Sequence, residues 1–341
     1  MISSVAIGKF DGLHLGHQSL INALLDFALD SNDLNAKSSQ KHCAIIIIDT
    51  HLGEFLTSLQ DRFEKIKKID SRLQAFRLDL ESVRDFSGGE FVDFLQNLLP
   101  NLEKIIVGYD FAFGKNRLFG AEDLREIFQH KHSKNQQNKS KKREVIIIPK
   151  VCQNGIPLHS SVVKDLIMHG DMLVANKMLG WKYKIKGNII SGQGIGKKEI
   201  FPTINLQVNG YILPANGVYA TRTNGLDSVS FIGTRLSTDG KFSIETHILG
   251  DFKDFVDFAD SSGATNPADF RGVLESSFAD FSGAVADFRD FMVRDFMVEV
   301  EFVQKLRENR HFDSLSLLKS QITQDICNAK KVLKNLCKKL K

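Results

Sequence analysis

The first seventeen residues constrain this chain more than any other stretch. An apolar run, Val5-Ala6-Ile7, leads into Gly8-Lys9-Phe10-Asp11-Gly12-Leu13-His14-Leu15-Gly16-His17, and a helix-like segment, Gln18 to Leu29, leaves it. The pattern reads as strand, glycine-rich turn and helix, with two histidines spaced i, i+3 where the helix opens. A helix N-terminus offers free N–H groups and partial positive charge to phosphate. Gly8, Gly12 and Gly16, with Asp11 among them, shape a turn whose backbone can come close to a ligand. His14 and His17 fall on one helical face and can hydrogen-bond a phosphate as charge builds on it. The stretch points to a nucleoside triphosphate and, in this strand–turn–helix context, to nucleotidyl transfer. No GxxxxGK[ST] occurs, and the helix opens on histidines where a dinucleotide fingerprint has its third glycine.

At 341 residues the chain has room for two ordinary domains, and its 42% hydrophobic and 25% charged content is that of a globular protein. The net charge of +4 is mild, and much of the excess sits in Lys131–Arg143 and in the tail Lys330–Lys341. No aromatic residue interleaves the first of these runs, so it reads as a solvated loop and nucleic acid is not an expected partner. No apolar run approaches the ~20 residues that cross a bilayer. The N-terminus lacks a signal peptide's pattern, so a cytoplasmic location without a membrane partner is expected. Cys43, Cys152, Cys327 and Cys337 are scattered without a CxxC pair and read as ordinary thiols, not as a disulfide frame or a zinc site.

Cys43–Ile48, Lys104–Val107 and Val145–Ile148 are continuous apolar runs suited to buried parallel strands, with helical patterns such as Phe91–Leu99 and Ala121–Phe128 between them. This alternation predicts an α/β domain with a Rossmann-like parallel sheet, whose ligands bind at the carboxyl ends of strands. Around Gly180 the texture changes. Short β-rich pieces follow, including Trp181–Gly187, Gly217–Arg222, Val229–Ile232 and Phe242–Ile248, and predict an antiparallel sheet or barrel. From Phe312 the pattern is helical, with Leu315, Leu318, Ile322 and Ile326 at helical spacing and Ser314 placed to cap. Two domains are expected, 1–180 and 181–341. Between Asp251 and Phe296 the dipeptide Asp-Phe occurs eight times, an insertion at about 251–295. It leaves three readings open: a loosely packed insertion between two strands, a docking segment that uses its phenylalanines, or a lid over a substrate.

Further motifs sharpen the first domain. Ile48-Asp49-Thr50-His51 resembles a segment TF-[DE]-P-H-P, with Thr50 and Leu52 where prolines are usual. Val107-Gly-Tyr-Asp-Phe-Ala-Phe-Gly-Lys-Asn-Arg117 matches VG-x-[DN]-F-x-FG-x-x-R. His159-Ser160-Ser161, Val163-Lys164 and Gly170-Asp171 resemble ISST-x-[IV]-R followed by GD, with Val162 for the threonine and Lys164 for the arginine. In the second domain, Gly187–Asn205 resembles G-x-V-x-x-G-x-x-x-G-R-x-x-G-F-P-T-x-N, and Gly217-Val-Tyr-Ala220 matches GVYA. Phe231–Arg235, Ser243–His247 and Val300–Phe312 resemble NIG-x-[RK]-P, VE-x-H and V-x-F-x-x-x-[IL]R-x-E-x-x-F. In this order and over nearly the whole chain, these motifs resemble the bacterial bifunctional riboflavin kinase / FMN adenylyltransferase (FAD synthetase) family.

The resemblance implies an N-terminal HxGH nucleotidyltransferase domain, then a mostly antiparallel β-barrel riboflavin kinase domain with a C-terminal helix. The substrates it implies are ATP, riboflavin and FMN, and the cofactor is Mg²⁺. In the kinase it gives Thr203 and Asn205 to the metal and Glu245 to the base that takes the ribityl hydroxyl proton. Gly192, Gly194 and Gly196 with Lys197 and Lys198 form a cationic loop over phosphates, and Arg307 joins the nucleotide-binding set. In the adenylyltransferase His14 and His17 hold phosphates and Ser160, Ser161 and Lys164 bind triphosphate. Asp49 and Asp110 meet Mg²⁺, flavin phosphate or ribose. Two alternatives stand beside this reading: a riboflavin kinase with weak or lost adenylyltransferase activity, and a non-catalytic flavin-binding or docking protein.

Overall fold

Apolar runs without alternation make strands that are covered on both faces, and the N-terminal part of the chain is built on them. A computed structural model describes residues 2–29, 42–50, 53–134, 143–190, 203–250 and 297–339. The chain packs as two units, Met1–Val162 and Val163–Lys341.

The first unit runs β1 (Ile2–Gly8), α1 (Leu15–Leu29), β2 (His42–Asp49), α2 (Leu59–Ile69), β3 (Gln74–Asp79), α3 (Gly88–Leu98) and β4 (Lys104–Gly108). A two-stranded hairpin, β5 (Ala112–Phe113) and β6 (Phe119–Gly120), then leads to α4 (Ala121–Lys134) and β7 (Glu144–Ile148). A second hairpin, β8 (Cys152–Gln153) and β9 (Ile156–Pro157), precedes α5 (Ser160–His169). The sheet is parallel in the order β3-β2-β1-β4-β7. One face (Val5, Ile7, Ala44, Ile46, Ile105, Val107) packs on Phe91, Val92, Leu95, Leu124 and Phe128 of α3 and α4. The other face (Ala6, Ile45, Ile47, Ile106) packs on Ile21, Leu24 and Ile66 of α1 and α2. Serines cap α2 and α3: Ser58 with Asp61 and Ser87 with Glu90 form reciprocal capping boxes. Chain order reverses between β1, which pairs with both β2 and β4, so the crevice of this sheet opens beside Gly8 and Gly108.

Three local expectations change. The strand β3 has no apolar run to announce it, because its edge position leaves half of its side chains exposed and buries only Leu78. The helix α4 continues into the polar segment as far as Lys134, beyond Phe128. Helix α1 begins at Leu15, so His14 caps it from outside.

In the second unit α6 (Met172–Leu179) precedes six strands: β10 (Lys184–Ile190), β11 (Ile204–Val208), β12 (Gly217–Thr223), β13 (Leu226–Thr234), β14 (Phe242–Ile248) and β15 (Met297–Glu308). They close into a barrel, β10-β11-β14-β13-β12-β15, and α7 (Leu315–Lys339) follows. The Asn176 side chain of α6 donates to Phe302 O at 2.9 Å and accepts from Tyr183 N at 2.7 Å, which ties the helix to the barrel ahead of the composition change at Gly180. Outward Val218, Ala220, Val229 and Val303 pack on Ala329 and Leu333 of α7. The Ser314 hydroxyl caps α7 through Leu317 N. The Asp-Phe segment and the loop with Gly192, Gly194, Gly196, Lys197 and Lys198 lie outside the described residues.

The barrel interior is partly polar. Thr221 meets Ser228 and Ser230 at 2.8 Å, Thr223 meets Ser228 at 2.8 Å, and Thr246 meets both Thr223 and Ser230 at 2.9 Å. These five hydroxyls are buried and form a closed ring in which each can donate once and accept once. Thr246→Val leaves Thr223 and Ser230 each short of a partner and is expected to lower stability by about 1–3 kcal/mol. Thr246→Ser keeps the ring. Urea unfolding of the two variants checks this, and equal midpoints would show that the ring contributes nothing.

Candidate functional sites

The turn after β1 is strained, and its neighbours hold it. Phe10 (φ 51°), Gly12 (φ 82°) and Leu13 (φ 42°) take left-handed backbone that only glycine adopts freely. Phe10 and Leu13 are anchored in the core beneath the sheet. The Asp11 carboxylate accepts from Leu56 N (2.9 Å) and Thr57 N (3.2 Å), and Gly12 N donates to Thr57 Oγ1 (2.9 Å). The Ser160 hydroxyl donates to Asp11 O at 2.8 Å. Two remote segments therefore converge on this turn.

This frame sets the two histidines. His17 N donates to His14 Nδ1 at 3.3 Å, so Nδ1 of His14 is an acceptor and Nε2 carries the proton. The rings stack at 3.8 Å with 21° between their planes. A Cβ on Gly16 would sit 3.1 Å from the His14 ring, so glycine is what lets the ring lie back there. Burial, then the neighbouring His159, lowers the His14 pKa to about 4. Burial, then His14 and Arg62, lowers that of His17 well below 6.5. Near neutral pH both imidazoles are uncharged N–H donors. Nδ1 of His17 is buried with no hydrogen-bond partner among the described residues.

Asp110 and Tyr109 stand at the end of β4 and hold His159 between them: Tyr109 Oη lies 2.8 Å from its Nε2 and Asp110 Oδ2 3.4 Å from its Nδ1. The structure thus brings Asp11, His14, His17, Asp110 and Ser160 to one end of the sheet. Asp49 ends β2, buried and paired with Arg77 at 3.0 Å. Ser161 is exposed in the first turn of α5, and Lys164 falls beyond the division, in the second unit.

On the barrel, alternation sends Ile244, Thr246 and Ile248 inward and Glu245 outward. Register places Asn205 opposite Glu245, Glu245 opposite Phe231, Phe231 opposite Val218 and Val218 opposite Arg307, one row across the outer face. Thr203 lies two residues before Asn205 on the same face. Glu245 Oε1 accepts from Arg235 Nη1 (3.2 Å) and Ser243 Oγ (2.9 Å), and Arg235 is itself clamped by Asp239 (2.9 Å). Oε2 has no hydrogen bond among the described residues. Thr203, Asn205 and Glu245 together offer a hydroxyl, an amide oxygen and a carboxylate. That donor set fits Mg²⁺ completed by nucleotide phosphates and water, and among the described residues no cluster of three His, Cys, Asp or Glu offers a closed metal cage.

Two family models divide the chain as these two sites do. The FAD synthetase model matches residues 2–160, and the riboflavin kinase model matches 179–263 and 265–333. The chain belongs to the bifunctional riboflavin kinase / FAD synthetase family. Among its relatives are proteins named bifunctional riboflavin kinase/FMN adenylyltransferase. That of Listeria monocytogenes is 29% identical over 72% of this chain and 77% of its own. That of Buchnera aphidicola from Schizaphis graminum is 28% identical over 68% and 72%, and that of Haemophilus influenzae 24% over 96% and 93%. A solved structure described as a macrolide-efflux protein from Streptococcus pneumoniae aligns with TM-score 0.68 over 95% of this chain and 92% of that one. At 21% identity this is a likeness of fold alone. No described helix here is long and apolar enough to cross a membrane.

Arg307, expected among the nucleotide ligands, grips Asp325 of α7 through three contacts of 2.8–3.0 Å. It docks the helix on the barrel. Sequence reasoning passed over Thr57 and Arg62, and quoted His159, Arg235 and Ser243 only as parts of motifs. The one local signal was the Ser58–Asp61 cap, which marks where α2 turns back toward the first site.

The lowered His14 pKa has a consequence for stability. A histidine whose folded value lies below its unfolded one stabilises the fold above pH 6.5. That stability drains away as pH falls toward 4, where the unfolded chain binds the proton more readily. The expected loss is about 3 kcal/mol across that window. Unfolding of the first unit followed from pH 7 to pH 4 checks it, with His14→Asn showing a flatter dependence.

Proposed function

We propose that the chain phosphorylates riboflavin to FMN on its barrel and then adenylylates FMN to FAD at the HxGH turn, with two ATP consumed and one pyrophosphate released. The activities are assigned to residues 181–341 and 1–180. The observation that carries the kinase half is Glu245. It is paired across the strands with Asn205, fixed through one carboxylate oxygen by Arg235 and Ser243, and open at the other.

In the kinase step the riboflavin 5′-hydroxyl attacks the γ-phosphorus of ATP, the bond from that phosphorus to the β,γ-bridging oxygen breaks and ADP leaves, and Oε2 of Glu245 accepts the hydroxyl proton. Arg235 keeps the carboxylate pointed at the hydroxyl. Mg²⁺, when held by Thr203 and Asn205, supplies positive charge to the phosphates. In the adenylyl step the FMN phosphate attacks the α-phosphorus of ATP. The nucleophile is already an anion, so no base is needed. His14 and His17 donate neutral N–H groups to the phosphates, and the helix N-terminus adds its partial charge. Asp110, Ser160, Ser161 and Lys164 complete the proposed triphosphate and flavin contacts. The set geometry of Asp11, His14 and His17 supports an active first site over the reading in which it is weak or lost. Dependence on ATP favours a cytoplasmic location.

The test is incubation with riboflavin, ATP and Mg²⁺ and chromatography of the flavins. FMN followed by FAD is expected, and chelation of the metal is expected to stop both. Glu245→Gln should cut FMN formation by roughly 10²–10⁴-fold while FMN supplied from outside still becomes FAD. His14→Asn should do the reverse, cutting FAD formation by roughly 10²–10³-fold. Loss of both steps in either variant would break the assignment of one activity to each site.

A further inference from the structure

Arg62 is the largest of the fully buried side chains, 2% exposed on α2 directly behind the phosphate turn. Burying a guanidinium is costly unless it is paired. Its Nε donates to Thr57 O (3.2 Å) and its Nη1 to Lys9 O (3.0 Å), and the group lies 5.2 Å from the centre of the Phe55 ring. Asp11, Asp49 and Asp61 are near enough to favour its charged form against burial, which lowers its pKa. Each also serves another partner. Asp11 holds the amides of Leu56 and Thr57, Asp49 pairs with Arg77, and Asp61 caps Ser58. Among the described residues Arg62 has no ion pair, and its Nη2 makes no hydrogen bond. Its charge is felt at His17, whose Nδ1 is buried without a hydrogen-bond partner among the described residues.

We infer that Arg62 is a positioning residue for adenylyl transfer, which ties the Gly8–His17 turn to the segment before α2 by bridging the Lys9 and Thr57 carbonyls and supplies from beneath it the positive charge that a triphosphate meets. The stacked histidines are neutral and give hydrogen bonds without charge. The full cation stands behind them, where low dielectric strengthens its field. Lys9 O belongs to the residue before the first left-handed position, so the same guanidinium that lends charge also resists relaxation of the strained turn. This inference rests on the FAD synthetase reading of the first unit.

The experiment uses the full chain and the variants Arg62→Gln and Arg62→Lys. It measures kcat and KM for ATP in FMN-to-FAD conversion, with riboflavin-to-FMN conversion as the control that the second unit is folded. Gln can keep one carbonyl bond but no charge, whereas Lys keeps charge without the fork that spans both carbonyls. Arg62→Gln is expected to raise KM for ATP about tenfold or more, and Arg62→Lys to hold KM within about threefold while kcat falls. Equal impairment of the two variants, or no change in either, overturns the inference. Should Arg62→Gln fail to fold, Arg62→Lys decides alone: KM near wild type with lowered kcat supports the role, and raised KM overturns it. A folded wild-type chain that makes no FAD removes the underlying reading and this inference with it. That outcome is distinct from failure of the inference alone, in which wild type makes FAD and the variants match it.

Discussion

The arrangement around Asp11 is the constraint on which the first site depends. One carboxylate oxygen takes two backbone amides from the segment before α2, and the same residue's carbonyl takes the Ser160 hydroxyl at the start of α5. Left-handed backbone at Phe10 and Leu13 is uphill for residues with side chains. Such a turn persists only where its surroundings over-determine it, and here they do so by burying both side chains and fixing the residue between them. His14 and His17 inherit their positions from that arrangement, and their stacking and neutrality follow from the depth at which it places them.

The barrel solves a different problem. Its closure removes free edges, so the outer row from Asn205 to Arg307 is set by register and not by loop conformation. The row carries the proposed kinase site at one end and docking at the other. Glu245 is held through one carboxylate oxygen by Arg235 and Ser243, while Arg307, three strands along, holds α7 through Asp325. The inner hydroxyl ring belongs to the same logic. Thr221, Thr223, Ser228, Ser230 and Thr246 satisfy one another only when β12, β13 and β14 are in register, and a slip of one residue would send every hydroxyl to the other face.

Much of this was legible in the residues, for reasons that also explain what was not. Buried strands announce themselves by apolar runs, and the HxGH turn by glycines and histidines at fixed offsets. Strand β3 has neither signal because an edge strand need not be apolar. Arg307 sits in a motif that matches the family, yet its partner is on a helix whose register no motif encodes. Thr57 and Arg62 act on residues about fifty positions away, so nothing local marks them. Arg235 and Ser243 become meaningful only when β13 and β14 pair and bring them to Glu245.

The two sites differ because their nucleophiles differ. A ribityl hydroxyl is a poor nucleophile until its proton leaves, so the kinase site needs a carboxylate that stays ionised and aimed, and Arg235 with Ser243 provides the aim. A flavin phosphate is an anion before it arrives. A carboxylate base beside it would only repel it, and the catalytic burden shifts to donors that stabilise charge spreading over the α-phosphate. Two imidazoles kept neutral by burial suit that task, since they donate without releasing a proton and need no counter-anion of their own. The carboxylates at this end of the sheet are engaged: Asp11 with backbone amides, Asp110 with His159 and Asp49 with Arg77. The same chain thus keeps an aimed carboxylate where a proton must be removed and engages its carboxylates elsewhere where an anion must be received.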